Sequence, residues 1–294
     1  MNAFWKHCRG FLFHLFPHHL VSRIMYRITR LRTPLANPAI RVFIRAFNVD
    51  MHGACLPESG SYATFNEFFT RRLIPGARPI APAENEIMCP ADGYISQLSS
   101  YTGQHAIQAK GRLFSMPRLL GGGREYPGLC ERGKFATIYL SPGSYHRVHM
   151  PVDGELLEMV HIPGRLFSVA PYAAETLDSL YARNERVVSI FRTGSGYMAV
   201  VMVGAVNVAA IETSWHGLVT PPRGKTLHRR TYSGTELKKG EELGVFNMGS
   251  TVIVAFESES IAWQPDLGPG HAVRMGQSLG RFTQAVSPEA QAHR

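Results

Sequence analysis

A glycine meets a serine at Gly249-Ser250, at the mouth of the apolar run Thr251-Val252-Ile253-Val254-Ala255-Phe256. That run is short, continuous and rich in Val and Ile, the pattern of a buried strand. Glycine reaches backbone angles closed to other residues, and its missing side chain leaves its carbonyl open to attack. Ser250 supplies a hydroxyl one peptide unit away, so the pair could cut its own chain. A Gly-Ser pair taken alone is more often a tight turn feeding a core strand.

Two further stretches carry groups that such chemistry would need. Pro90-Ala91-Asp92-Gly93 places an acid in a turn before a strand-like segment, although Asp before Gly is also an ordinary turn dipeptide. Tyr139 through Pro151 contains Ser141-Pro142-Gly143-Ser144-Tyr145-His146-Arg147-Val148-His149. Two histidines three apart share a face only on a helix, and Pro142 and Pro151 disfavour one. On a regular strand His146 and His149 point to opposite sides, so zinc ligation is poorly supported and no metal is expected. A general base is better supported.

These residues need elements to position them. From Ile87 onward, short apolar or alternating runs recur between turn residues: Phe135–Leu140, Val187–Phe191, Met198–Ala210 and Thr251–Phe256. That rhythm predicts an α+β body with a predominantly antiparallel β core, not alternating βαβ units. A helix is expected over Ala173 to Arg183. Another is expected over Tyr62 to Leu73, with Thr64 as N-cap and Glu67 three residues later.

The first 49 residues differ from the rest. They contain no Asp or Glu, yet carry Lys6, Arg9, Arg23, Arg27, Arg30, Arg32, Arg41 and Arg45 among Phe4, Trp5, Phe11, Phe13 and Phe16. The apolar stretch Gly10–Phe16 is too short to span a bilayer, and no small-residue cleavage site follows it. After Pro17, helical spacing puts Leu20, Ile24, Ile28 and Leu31 on one face, widened by Val21 and Met25, with Arg23, Arg27 and Arg30 along its edge. A second helical run is expected over Ala39 to Phe47. This pattern predicts an N-terminal amphipathic helical membrane-association segment, residues 1–49, drawn to anionic lipid, ahead of a catalytic domain at 50–294. Packing of the same face on the body or on a second subunit is the other reading.

At 294 residues the chain can bury a substantial core, and 45% hydrophobic with 18% charged residues excludes a disordered protein. The formal net charge of +9 points to an acidic partner. No nucleic-acid-binding module surrounds the basic residues, so an anionic membrane or substrate is expected instead. Cys8, Cys55, Cys89 and Cys130 are scattered, which fits free thiols in a reducing compartment.

Taken in order, the segments resemble the phosphatidylserine decarboxylases. The match runs through Phe65-Asn66-Glu67-Phe68-Phe69, Pro90-Ala91-Asp92-Gly93, Gln108-Ala109-Lys110-Gly111, Tyr139 to Pro151, Pro163-Gly164-Arg165-Leu166-Phe167-Ser168-Val169, Ala182-Arg183-Asn184-Glu185-Arg186, Val203-Gly204-Ala205 and Gly249-Ser250-Thr251. Near the site only Met248 departs, where members often carry Leu or Val, and a similar-sized apolar residue should matter little.

The resemblance implies a proenzyme that cuts itself between Gly249 and Ser250 into a β chain (1–249) and an α chain (250–294). By motif match Asp92, His149 and Ser250 form the self-cleavage triad. Ser250 becomes a covalent pyruvoyl group, which decarboxylates phosphatidylserine to phosphatidylethanolamine through a Schiff base, with His146 as acid/base partner. The partners implied are an anionic phospholipid membrane holding phosphatidylserine, the two chains of one precursor, and a second copy in a homodimer. The location implied is the cytoplasmic side of a cell membrane, bacterial rather than mitochondrial. Two rival readings are a serine hydrolase using Ser250, His149 and Asp92, and a non-catalytic lipid-binding protein. The Gly-x-Ser-x-Gly elbow of the α/β hydrolases is missing around Ser250.

Overall fold

The computed structural model describes residues 18–122, 126–206, 210–220 and 226–283. The aromatic, basic stretch from Phe4 to Phe16, with Cys8, lies outside the described residues.

Three helices come first: α1 (His18–Ile28), α2 (Ala36–Phe47) and α3 (Phe65–Phe69). Helix α2 begins three residues earlier than expected, at Ala36. Pro38 then falls in its first turn, where a missing N–H costs no intrahelical bond. At α3 the Thr64 hydroxyl accepts from the Glu67 amide, and the Glu67 carboxylate accepts from the Ala63 amide. The helix stops at Phe69 and not at Leu73, because the chain beyond it leaves to bridge Leu73 with Ala54.

Two short helices, α4 (Met116–Leu120) and α5 (Pro127–Glu131), lie among the strands, and the helix expected over Ala173–Arg183 is two, α6 (Pro171–Ala174) and α7 (Leu180–Arg183). The buried Gln108 amide divides them. It donates to the carbonyls of Ala174 and Leu177 and accepts from the Leu180 amide, replacing the bonds a continuous helix would make.

The strands in chain order are β1 (Glu86–Met88), β2 (Gly93–Thr102), β3 (His105–Ala109), β4 (Arg112–Ser115), β5 (Arg132–Leu140), β6 (Arg147–His149), β7 (Gly154–Ile162), β8 (Arg186–Thr193) and β9 (Gly196–Val203). They continue as β10 (Ile211–Thr213), β11 (Gly217–Thr220), β12 (His228–Leu237), β13 (Glu242–Phe246), β14 (Ser250–Phe256), β15 (Ile261–Trp263), β16 (Ala272–Val273) and β17 (Ser278–Phe282). The large sheet runs β12-β7-β8-β9-β14-β5-β2-β3-β4, with β16 on β2. Smaller sheets are β11-β10-β13-β6 and β1-β17-β15. Every ladder pairing among these strands is antiparallel, so the fold is α+β with an antiparallel core. Strand β9 ends at Val203, short of Ala210, where Gly204 turns to bond the Glu185 carbonyl.

Strand β14 lies at the centre, between β5 and β9, and all seven of its residues are buried. Burial of Val252, Ile253, Val254 and Phe256 contributes on the order of 10 kcal/mol relative to exposure. A second apolar cluster is helical. Ile40 and Phe43 of α2 pack on Phe65, Phe68 and Phe69 of α3, and Met248 joins them. The helical layer therefore reaches the residue that precedes Gly249.

Candidate active site

Strand β5 organises the site. Its Tyr139 lies opposite Tyr94 of β2 on one side and Thr251 of β14 on the other, and Leu140 lies opposite Ser250. Asp92 precedes β2 and Ser250 opens β14, so both sit at the same end of the sheet. Two strand spacings separate β2 from β14 laterally, about 10 Å. A bond from the His149 amide to the Pro90 carbonyl (2.8 Å) ties β6 to the Asp92 turn. Strand β13 pairs with β6 and leads directly into residues 247–250. The topology thus brings Asp92, His146, His149 and Ser250 to one corner from three segments.

Ser250 is fully buried, and its Oγ has no hydrogen-bond partner among the described residues. Gly249 is not in the left-handed region, so its backbone freedom is not what this position uses. A Cβ built on it would approach nothing closer than the Leu140 carbonyl at 3.9 Å. What glycine provides is a peptide with no side chain of its own beside the bond to Ser250. The approach to it is fastened further back. Asn247 donates from Nδ2 to Glu212 (2.8 Å) and accepts on Oδ1 from Arg30 (2.7 Å), which lies just beyond the end of α1.

Asp92 is gripped from another direction. Arg78 Nε and Nη2 fork onto its two oxygens, with the shortest contact at 2.6 Å, and the Met275 amide donates to Oδ1 at 2.8 Å. The pair is largely shielded, with side-chain exposures of 8% and 13%. A two-pronged charge-assisted contact of this kind is strong and directional.

His149 occupies a slot between Tyr145 and residue 240. The Gly240 carbonyl can only accept, so the Nδ1 at 2.8 Å from it carries the proton. Nε2 is then the free lone pair, and the Tyr145 hydroxyl donates to it at 3.1 Å. Burial lowers the His149 pKa, and Arg147 adds to that. The Gly240 bond and the carboxylates of Glu242 and Asp92 act the other way. A neutral imidazole with an available Nε2 is suited to take a proton. Among the described residues His149 makes no hydrogen bond to Asp92 or Ser250; His149 and Asp92 are held by other groups, and Ser250 Oγ has no partner there.

His146 lies just before β6, and its ring makes contacts different from those of His149. Its ring stacks on Phe69, with centroids 4.2 Å apart. Nε2 donates to the Ser141 carbonyl at 3.0 Å, while Nδ1 is buried without a partner among the described residues. Burial pushes its pKa down to about 3, helped by the nearby Arg71 charge. The arrangement keeps His146 neutral with its lone pair on Nδ1.

Arg78, Tyr145, Arg71 and the Arg30–Asn247 contact are absent from a reading of spacing alone. Arg78 stands in Pro75-Gly76-Ala77-Arg78-Pro79, which marks only a turn. Among the described residues no group of three or more His, Cys, Asp or Glu side chains could hold a metal ion.

A buried serine directly after a glycine, with neutral histidines and a held carboxylate at the same corner, places the chain among enzymes. Comparison with known proteins narrows the class. The family model described as phosphatidylserine decarboxylase matches residues 65–281, and a second, described as PSD, matches residues 9–48. A protein of Methylococcus capsulatus named phosphatidylserine decarboxylase proenzyme is 48% identical over 270 residues, covering 91% of this chain and 94% of that one. Those of Nitrosococcus oceani (46%, 95% and 92% covered) and Pseudomonas putida (50%, 92% and 96% covered) carry the same name. The chain belongs to the phosphatidylserine decarboxylase family, and as an enzyme it is a decarboxylase, a carboxy-lyase.

Proposed function

We propose that the chain is a precursor that cuts itself between Gly249 and Ser250 and then decarboxylates phosphatidylserine to phosphatidylethanolamine. The observation that carries this reading is the burial of Ser250, with its Oγ unpartnered among the described residues, directly after Gly249, whose Cα carries no side chain to crowd the scissile peptide. A hydrolase must present its serine to an outside ester. A serine at 0% exposure, at the head of a strand that runs between two others, has its own chain as the adjacent carbonyl. The serine hydrolase reading loses ground on that point.

In this mechanism His149 Nε2 takes the Ser250 hydroxyl proton once Tyr145 yields its place, and Asp92 supports the charge that forms on the imidazole. Oγ attacks the Gly249 carbonyl carbon, and the amide becomes an ester. Loss of the Ser250 α-proton forms a Cα=Cβ double bond, breaks the Cβ–Oγ bond, and releases residues 1–249 with a free carboxylate, leaving residue 250 as dehydroalanine. The new residue 250 loses ammonia on hydrolysis and becomes a pyruvoyl group. The site fits that group, because a buried, unpartnered Oγ at the head of a strand held by β5 and β9 becomes a buried terminus on the same strand. When formed, the pyruvoyl carbonyl supplies an electron sink for loss of carbon dioxide. Around it, His146 offers Nδ1 for proton transfer, and the Phe69 ring and helical layer restrict water.

Helices α1 and α2 are proposed to lie on an anionic membrane at the cytoplasmic side of the cell membrane. Leu20, Ile24, Ile28, Leu31, Leu35 and Val42 are exposed, while Ser22 and Thr29 of the first helical segment are buried. Among the described residues no helix is long and apolar enough to cross a membrane. A homodimer belongs to the same proposal, and light scattering measures it.

Intact-mass analysis of the purified protein tests the chemistry. Two fragments are expected, one ending at Gly249 and one beginning with a carbonyl-reactive residue 250. Ser250→Ala should remain one chain and lack decarboxylation. A single-chain wild-type product with full activity would reject the proposal.

A further inference from the structure

Residues 69, 70 and 71, at the end of α3, grip the histidine loop at consecutive points. Phe69 lies over the His146 ring. The Thr70 carbonyl accepts from Arg147 Nε at 3.0 Å. Arg71 Nη2 donates to the Gly143 carbonyl at 3.2 Å and lies 3.5 Å from the carbonyls of Ser144 and Asp50. The loop is closed on itself by the Ser144 amide bonding the Ser141 carbonyl, the same oxygen that accepts from His146 Nε2. From the other side it presses on α2, for a Cβ on Gly143 would stand 2.6 Å from the Phe47 carbonyl.

Arg71 is only 4% exposed, and no carboxylate pairs with it among the described residues. Its Nε has no partner there at all. The carbonyl contacts, the Phe68 ring at 5.7 Å and the influence of the Asp92 and Asp50 carboxylates, neither paired with it, offset its burial only in part, for burial still lowers its pKa. An apolar side chain of similar length would avoid that cost. Packing alone therefore does not account for a cation here.

We propose that Arg71 is a positioning residue for His146: it holds the Ser141–Ser144 turn in shape, so that Nε2 is tied to the Ser141 carbonyl and the lone pair is kept on the buried Nδ1 for proton transfer. Its charge acts on the imidazole as well. Among the described residues Arg71 is the one charged side chain that bears on His146; its other neighbours there are the Phe69 ring and the backbone of Ser141, Pro142 and Phe246. Arg71 lowers the His146 pKa, second to burial. The proposal rests on the reading that His146 moves a proton in decarboxylation and not in self-cleavage.

The test uses self-cleaved Arg71→Met and Arg71→Lys proteins, with turnover of detergent-dispersed phosphatidylserine followed against pH. Both should cleave completely by intact mass. Arg71→Met should lose about 30-fold or more in kcat with KM within about twofold, because a proton-transfer group is misplaced and not a binding contact. Its acid limb should move up by about one pH unit, since a like charge no longer opposes the imidazolium. Arg71→Lys should keep the acid limb and lose about fivefold in kcat, because an ammonium cannot span the turn as the fork does. In parallel, the His146 ring is titrated by NMR in a Ser250→Ala background with and without Arg71→Met, which needs no cleavage and no turnover. A higher His146 pKa in the Met variant supports the proposal.

An unchanged titration with unchanged kcat overturns it. Should Arg71→Met fail to fold, Arg71→Lys decides, and kcat within twofold of wild type overturns it. His146→Gln separates the two layers. Full turnover in that variant rejects the role of His146, whereas a dead His146→Gln beside a wild-type Arg71→Met rejects only the role of Arg71.

Discussion

The Asp92 carboxylate is held on both oxygens before any chemistry begins. Arg78 and the Met275 amide fix its orientation, and they come from segments far apart in the chain. Removing the fork leaves a shielded carboxylate short of its main partner. Arg78→Met should therefore cost about 3 kcal/mol of stability, read as a fall in the urea midpoint. Self-cleavage should slow by more than tenfold in a gel time course, because Asp92 is freed to rotate. Arg78→Lys should recover little of that rate, since one ammonium cannot meet both oxygens. Wild-type cleavage in Arg78→Met would show that Asp92 needs no such anchor. The histidines give a separate signature. His146 has a folded pKa near 3 against 6.5 when free, and the His149 pKa is also lowered, in both cases chiefly by burial. Below pH 6.5 the unfolded chain takes up protons that the folded protein refuses. Stability should thus rise with pH between about 3 and 6.5 and be lost as the pH falls through that window, by on the order of 5 kcal/mol for His146 at the acid end. A urea midpoint constant from pH 7 to pH 4 would contradict the burial of these rings as neutral groups.

At the scale of elements, the contact between β2 and β5 sets the distance from Asp92 to Ser250. Gly93 follows Asp92 directly, and a Cβ there would lie 2.3 Å from the Tyr139 carbonyl. Gly93→Ala must push β2 off β5 at the residue that also faces Thr251. A loss of about 2 kcal/mol is expected, with slowed self-cleavage, and both are measured on one preparation. The strands that carry this geometry were legible in the chain because they are apolar on both faces; β14 and β8 read as continuous Val and Ile runs. Asp92, His146, His149 and Ser250 were legible as chemistry-bearing residues in their own segments. Their present partners were not, because Arg78 and Met275 reach Asp92 across 14 and 183 residues. No local pattern encodes such distant contacts. The same holds where helix expectations ran long. Gln108 interrupts Ala173–Arg183 from 66 to 72 residues away, and the bridge from Ala54 ends α3 early. Propensity counts neighbours in sequence, and tertiary hydrogen bonds override it.

The whole molecule joins a basic helical layer to a sheet that holds the reacting serine. Asn247 is the meeting point, since Arg30 at the end of α1 bonds it three residues before Ser250. The outward face of that layer carries Leu20, Ile24 and Ile28 beside the exposed Arg23 and Arg27. Water is a poor solvent for such a face, and a headgroup layer of anionic lipid suits both its apolar and its cationic side chains. With a formal net charge of +9, long-range attraction to that surface should fade as salt screens it. Vesicle flotation checks the reading. Wild-type protein should bind vesicles containing anionic lipid and bind less as salt rises. Leu20→Glu with Ile24→Glu should reduce binding about tenfold or more, because two exposed apolar contacts are replaced by charges that the surface repels. Neither residue touches the Asp92, His149 or Ser250 segments, so self-cleavage should remain complete, and turnover of a short-chain, detergent-dispersed substrate should persist. Loss of turnover on vesicles alone would place the helical layer in substrate access. Unchanged flotation of the double variant would instead assign this face to a protein partner, and a second copy of the chain would be the first to test by light scattering.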